Sequence, residues 1–183
     1  ELRDAMPKDA ITIFDGNLVM AVCQRMITAH FPAHRLTPGT SGGLGVGIPY
    51  AVAAKIEHPE RPVVAICGDG GFMMNSQELE TAVRLGLDLV VLILRDDAYG
   101  MIQWKQANMG FKNFGLDYGN PDFVKYAESY GAHGYRVASA QQLAPLITQC
   151  HLTPGVHVID VPVDYSENDR ILHHEIQARS AQI

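Results

Sequence analysis

Two carboxylates stand just past the ends of apolar runs, 27 residues apart: Asp69 in "CGDGG" (67–71) and Asp96 in "RDDAYG" (95–100). A Gly-rich turn from strand to helix offers free backbone N–H groups to phosphate oxygens, aided by the helix dipole. An aspartate in the same turn would repel a bare phosphate. A divalent cation between them removes the conflict, because hard, octahedral Mg2+ is commonly shared between one or two carboxylates and substrate phosphates. Asp96 then supplies the second oxygen ligand from a neighbouring strand end. A third unusual strand end is "FDGN" (14–17). The plainer reading is that Asp and Gly after strands merely form turns. A dinucleotide-binding G-x-G-x-x-G loop fits poorly, since Gly68 and Gly70 match but Met73 takes the place of the last glycine.

Such residues need a frame. Five short apolar runs predict strands: 11–14, 62–67, 87–94, 135–139 and 155–163. Continuous rather than alternating apolarity suits strands buried on both faces, as in a parallel sheet. Helical spacing predicts helices over 17–30 and 42–57. Asn75 and Glu78 spell a capping box before a helix stopping at Gly86. Asn120-Pro121 reads as a cap and first-turn proline, and Ser139 with Gln142 as another capping box. Strand and helix alternate throughout, so the expected fold is a three-layer α/β/α sandwich around a parallel sheet. In such sheets ligands bind outside the carboxyl ends of the strands.

Composition narrows the class. The 183 residues carry a net charge of −6, which argues against a nucleic-acid surface. No apolar stretch is long enough to span a membrane. The opening "ELRDAMPKDAITIFDG" lacks the pattern of a signal peptide and reads as a chain cut within a linker. Cys23, Cys67 and Cys150 are widely spaced and fit reduced core thiols of a cytoplasmic protein. The eight histidines show no metal-ligand spacing. Residues 1–183 are expected to form a single domain, with 164–183 as a peripheral tail.

The stretch "GDGGFMMNSQELETAVRLGLDLVVLILRDDAYGMIQWKQ" resembles the thiamine-diphosphate signature, which opens with GDG and closes about thirty residues later at a second metal-binding side chain. "SGGLGVGIPYAVAAK" is similar to the segment that cradles the aminopyrimidine ring in that family. The ending "VKYAESYGAHGYRV…VHVIDVPVDYSEN" resembles acetolactate synthases, particularly the catabolic kind. The resemblance runs from about Ile11 to Asn168.

It implies roles residue by residue. Asp69 and Asp96 would bind Mg2+ through side chains, and Ala98 through its carbonyl. Gly70 and Gly71 would give N–H groups to the diphosphate, and Gly16 and Asn17 resemble the other phosphate-end turn. Gly42, next to Gly43, would accept from the cofactor's 4′-amino group. Leu44 would be the apolar wedge beneath the thiazolium. Tyr99, Gly100 and Met101 would border the two rings. The family's activating glutamate comes from a partner chain's pyrimidine-binding domain, and no residue here takes that role. The chain therefore reads as the C-terminal third of a longer enzyme, a homodimer or homotetramer that decarboxylates pyruvate and ligates the product to a second 2-oxoacid. Another thiamine-diphosphate decarboxylase or carboligase, or a non-catalytic cofactor-binding subunit, are the alternatives. Two departures stand out: Arg95 replaces the family's usual Asn beside the second metal ligand, and Lys105, after Trp104, falls where the family places its substrate-facing residue.

Overall fold

The computed structural model describes residues 2–16, 18–167, 170 and 178. Asn17 and most of the expected tail lie outside the described residues. A short helix α1 (Leu2–Ala5) precedes β1 (Ile11–Phe14), α2 (Leu18–Met26), β2 (Arg35–Leu36), α3 (Gly47–Glu57), β3 (Val63–Gly68), α4 (Asp69–Met74) and α5 (Glu78–Arg84). Then follow β4 (Leu89–Arg95), α6 (Gly100–Asn108), α7 (Phe123–Ser129), β5 (His133–Arg136), α8 (Ala140–Leu152) and β6 (Val156–Pro162). The strands form one sheet in the order β2-β1-β3-β4-β6-β5, and every pairing is parallel.

Side chains alternate between two buried faces, as the twofold repeat of a strand requires. Ile13, Ala65, Val91 and Val158 meet α3, α5 and α7 on one face, while Phe14, Ile66, Leu92 and Ile159 meet α2 and α8 on the other. This is why β3 and β4 read as continuous apolar runs, and β1 and β6 as apolar runs broken only by Thr12, His157 and Asp160. The expected α/β/α sandwich is the observed fold.

Local differences have local causes. Helix α3 begins at Gly47 rather than at residue 42, because Gly42 (φ 60°) and Gly45 (φ 82°) sit in the left-handed region and cannot continue a right-handed helix. The Asn75–Glu78 box is not formed. A helix starts directly after β3, breaks at Asn75 (φ −138°), and the Asn75 amide donates to Gly45 O at 2.8 Å instead. At α7 the cap is Asp122, whose carboxylate accepts from Val124 N at 3.2 Å, which leaves Asn120 free for another task. The Ser139 box is not formed either: Gln142 accepts from Ala138 N, one residue before the cap, and the serine side chain makes no capping bond. Strand β5 starts two residues early, at His133, and β2 is too short and polar to leave a pattern.

Candidate functional site

Strand β3 runs straight into α4 with no loop between them, so Asp69 is the first helical residue and sits at the carboxyl edge of a central strand. Its side chain is buried, 1% exposed, and its polar contacts come from its own helix, from the end of β4 and from the connection between α6 and α7. Oδ1 accepts from Gly70 N at 2.9 Å and from the Tyr118 hydroxyl at 2.9 Å. Oδ2 accepts from Asp97 N at 2.8 Å and from the Asn120 amide at 2.7 Å. A buried carboxylate with four donors is held in one orientation.

Strand β4 delivers Asp96 to the same place. Burial, then the charge of Asp69 and a hydrogen bond shared with it, push the Asp96 carboxyl up to about 6. Two carboxylates this close favour having a proton, or a cation, between them. The Ala98 carbonyl accepts from Tyr118 at 3.2 Å, so one phenol proton serves two oxygens of the cluster. Burial and the bond to Asp69 raise the Tyr118 phenol above its ordinary range, which keeps it a donor. Gly100 is required here: a Cβ would strike the Asp96 carboxylate.

The expected residues converge. Gly16, Leu44, Asp69, Gly70, Gly71, Asp96, Ala98, Tyr99, Gly100 and Met101 all line one cleft at the carboxyl ends of β1, β3 and β4. Gly42 and Gly43 lie over Gly16, close enough that a Cβ on Gly16 would meet their carbonyl oxygens at 2.6 and 2.5 Å. Leu44 and Met101 are half-buried and belong to neither core cluster, so both are wall residues rather than core. Asn17 lies outside the described residues. No glutamate is among the described residues that line the cleft.

Sequence reasoning missed several members. Asp15, 1% exposed, accepts from Gly16 N (2.8 Å) and Val46 N (3.2 Å), tying the Gly42–Gly45 segment to the end of β1. Its Oδ2 has no hydrogen-bond partner, and burial raises its pKa. Tyr118 and Asn120 enter from a segment some fifty residues downstream, and Tyr165 closes one side of the cleft. The "NPD" signal was visible but spelled a helix cap.

Arg95 turns out of the cleft. It donates to Asp160 and Asp97, both at 2.9 Å. Beside the cleft, Gly100, Gln103, Trp104 and Ala107 form one face of α6 and line a groove that shares Asp96, Gly100 and Tyr165 with it. Lys105 is not on that face.

Among the described residues no group of three His, Cys, Asp or Glu side chains could hold a metal ion. The donor set is instead two carboxylates and a backbone carbonyl, all hard oxygens. That suits Mg2+, which completes its shell from phosphate and water. The buried Asn120 Oδ1 has no partner either, consistent with a hydrogen-bond donor brought by a bound group.

Residues 16–161 match the family described as thiamine pyrophosphate enzyme, C-terminal TPP binding domain. The chain belongs to that family. It is 38% identical over 168 residues to an acetolactate synthase of Bacillus subtilis (strain 168), covering 92% of this chain and 30% of that protein. It is also 38% identical over 129 residues to a catabolic acetolactate synthase of Raoultella terrigena, covering 70% of this chain and 23% of the relative. A thiamine diphosphate-dependent 4-hydroxybenzoylformate decarboxylase of Rhodococcus jostii RHA1 superposes with a TM-score of 0.84 at 28% identity, over 91% of this chain and 32% of that one. The chain therefore spans about a third or less of these relatives. Its cleft lies at the carboxyl end of a central strand, where the sheet places the GDG turn.

Proposed function

We propose that this domain holds thiamine diphosphate through Mg2+ and serves an acetolactate synthase-like enzyme, which decarboxylates pyruvate and joins the product to a second 2-oxoacid. One observation carries the metal part: Asp69 and Asp96 face each other in a cleft whose remaining polar lining is backbone and hydroxyl. Asp69, Asp96 and the Ala98 carbonyl would ligate the cation, and Gly70 and Gly71 would donate to the diphosphate. Gly42 would orient the pyrimidine amino group, and Leu44 would support the bent cofactor from below. When bound, the cofactor supplies a carbanion-stabilising centre for cleaving the bond next to a ketone.

The chain's own residues bind, orient and exclude water. Tyr118 and Asn120 hold the Asp69 carboxylate, and Tyr165 with Met101 covers the cleft's flank. The activating glutamate would come from the pyrimidine-binding domain of a partner subunit in a homodimer or homotetramer. The catabolic relative supports acetolactate formation. The decarboxylase neighbour supports a second reading in which the product is released as an aldehyde. A non-catalytic cofactor-binding subunit is the third, supported by the lack of a glutamate along the described lining. A cytoplasmic location accords with three buried free cysteines. No described helix is long and apolar enough to cross a membrane.

Titration calorimetry of thiamine diphosphate into the full-length protein, with and without Mg2+, tests the binding. Asp69→Ala should weaken the Mg2+-dependent affinity by orders of magnitude, since it removes a hard ligand and the counter-charge of the phosphates. Unchanged affinity would sink the metal assignment. Product analysis from pyruvate then separates acetolactate from free aldehyde.

A further inference from the structure

Asp97 is a non-glycine residue at φ 58°, in the left-handed region, at the hinge between Asp96 and Ala98. Such a backbone is sterically costly for a residue with a Cβ and persists only when its surroundings hold it. Here the surroundings are explicit. Its carboxylate accepts from Arg95 Nη1 at 2.9 Å on one oxygen and from Asn120 Nδ2 at 2.8 Å on the other. Its own N–H, turned by that conformation, donates to Asp69 Oδ2. The same Asn120 amide also bonds Asp69.

The anchors are themselves anchored. Arg95 Nε donates to Asp160, which is fully buried at the end of β6. The other Asp160 oxygen accepts from Arg136 Nε at 2.7 Å, and Arg136 Nη2 reaches Asp122 Oδ1 at 3.1 Å. Asp122 caps α7 two residues after Asn120. The contacts close into a ring: Asp97, Arg95, Asp160, Arg136, Asp122, and back along the chain to Asn120. It joins the ends of β4, β5 and β6 to the start of α7. Asp160 is fully buried and bonded by two guanidinium groups, so it is a firmly held anchor beside the cleft.

We infer that Asp97 is a positioning residue: clamped between Arg95 and Asn120, it fixes the left-handed turn that aims the Asp96 carboxylate and the Ala98 carbonyl at the cation. This rests on the Mg2+ site proposed above and adds to it the device that sets its geometry. The device explains why Arg95 sits beside the site without entering it. Its charge is spent on Asp160 and Asp97 rather than on the cofactor.

Substitutions at position 97 separate the backbone from the clamp. Asp97→Gly relieves the left-handed strain yet removes both side-chain bonds, whereas Arg95→Met removes one anchor and leaves the turn residue intact. Outer partners of a metal site typically set its affinity by roughly ten- to a hundredfold. In the full-length protein, both variants should weaken Mg2+-dependent thiamine diphosphate binding at least about tenfold. The melting temperature of cofactor-free Asp97→Gly should stay near that of the parent, because Asp97 is half exposed. Arg95→Lys should recover only part of the affinity, having no fork to span Asp160 and Asp97. If Asp97→Gly binds as tightly as the parent, the conformation alone matters and the clamp is overturned. Asp69→Ala in parallel keeps the two ideas apart. Should it lose affinity while Asp97→Gly and Arg95→Met do not, the cation site stands and the clamp falls; should it lose none, the cation site itself is wrong.

Discussion

The Asp15 carboxylate fills the space that a side chain on Gly71 would enter, across the gap between the ends of β1 and β3. No hydrogen bond joins them, and the contact is purely steric. A Cβ on Gly71 would overlap the carboxylate, so the two positions can change only together. Gly71→Ala should destabilise the full-length protein by about 1–3 kcal/mol, the range for forcing an extra carbon into a packed site. Asp15→Ala should also destabilise it, since Gly16 N and Val46 N lose their acceptor. The double variant should be less damaged than the sum of the two. Strict additivity in urea melts would show that the neighbours relax around the added methyl.

Leu44→Ala should lower turnover more than cofactor affinity. The proposed diphosphate contacts are untouched, while the apolar support proposed under the bent cofactor is gone. We expect kcat to fall roughly ten- to a hundredfold, as for misplaced reacting groups, with a much smaller change in thiamine diphosphate affinity. Equal losses in both would make Leu44 a general binding contact.

A pH effect is expected far from the cleft. His157 is buried, and burial followed by the neighbouring His133 charge lowers its pKa, against the bond to the Thr153 carbonyl at 2.8 Å. The unfolded chain binds a proton near pH 6.5 that the folded chain refuses. The stability tied to neutral His157 is therefore present above about pH 6.5 and is lost as pH falls through the lower folded pKa. Melting temperature should drop on acidification from about pH 7 to 5, and His157→Gln should flatten that drop. An unchanged slope in the variant would place the effect on other groups, such as His151, which burial also lowers.

The chain alone should fold, because both faces of its sheet are covered by its own helices, yet form negligible acetolactate from pyruvate. No glutamate lines its described cleft, and loss of general acid–base help typically costs about 100- to 10,000-fold. Exposed Met109, Phe111 and Phe114 (68, 61 and 85%) should favour self-association, visible by sedimentation. Robust turnover from the isolated chain would overturn the half-site reading.

Much of this was legible in the residue order. Asp69 and Asp96 could be found because glycines and strand ends flag them locally, and the sheet followed from runs such as 62–67 and 87–94. What escaped was held by distance. Nothing near Asn120 says that its amide will reach Asp69, because Asn120 followed by proline spells a cap equally well. Asp15 looked like part of a turn, yet its burial depends on the segment at 42–46 folding over it. Helix α3 was drawn five residues too long because small residues suit a helix by composition, whereas Gly42 and Gly45 take a conformation that composition does not reveal. The start of β5 was placed two residues late because His133 and Gly134 are held by pairing with β6, not by their own preference.

The direct junction of β3 and α4 leaves the GDG turn no slack. One residue inserted between Gly68 and Asp69 would swing the carboxylate about 100° around the helix axis, since successive residues turn by that angle at 3.6 per turn. It would then face away from Asp96, and no adjustment of a flexible connection could bring it back. The segment that supplies Tyr118 and Asn120 is of the opposite kind, a long connection from α6 to α7 that can change length without moving the sheet. Variation in length among such domains should therefore accumulate on one side of the cleft only. Helix α6 and the connection after it have room to change, while the turn that carries Asp69 is frozen by the geometry of a covalent joint.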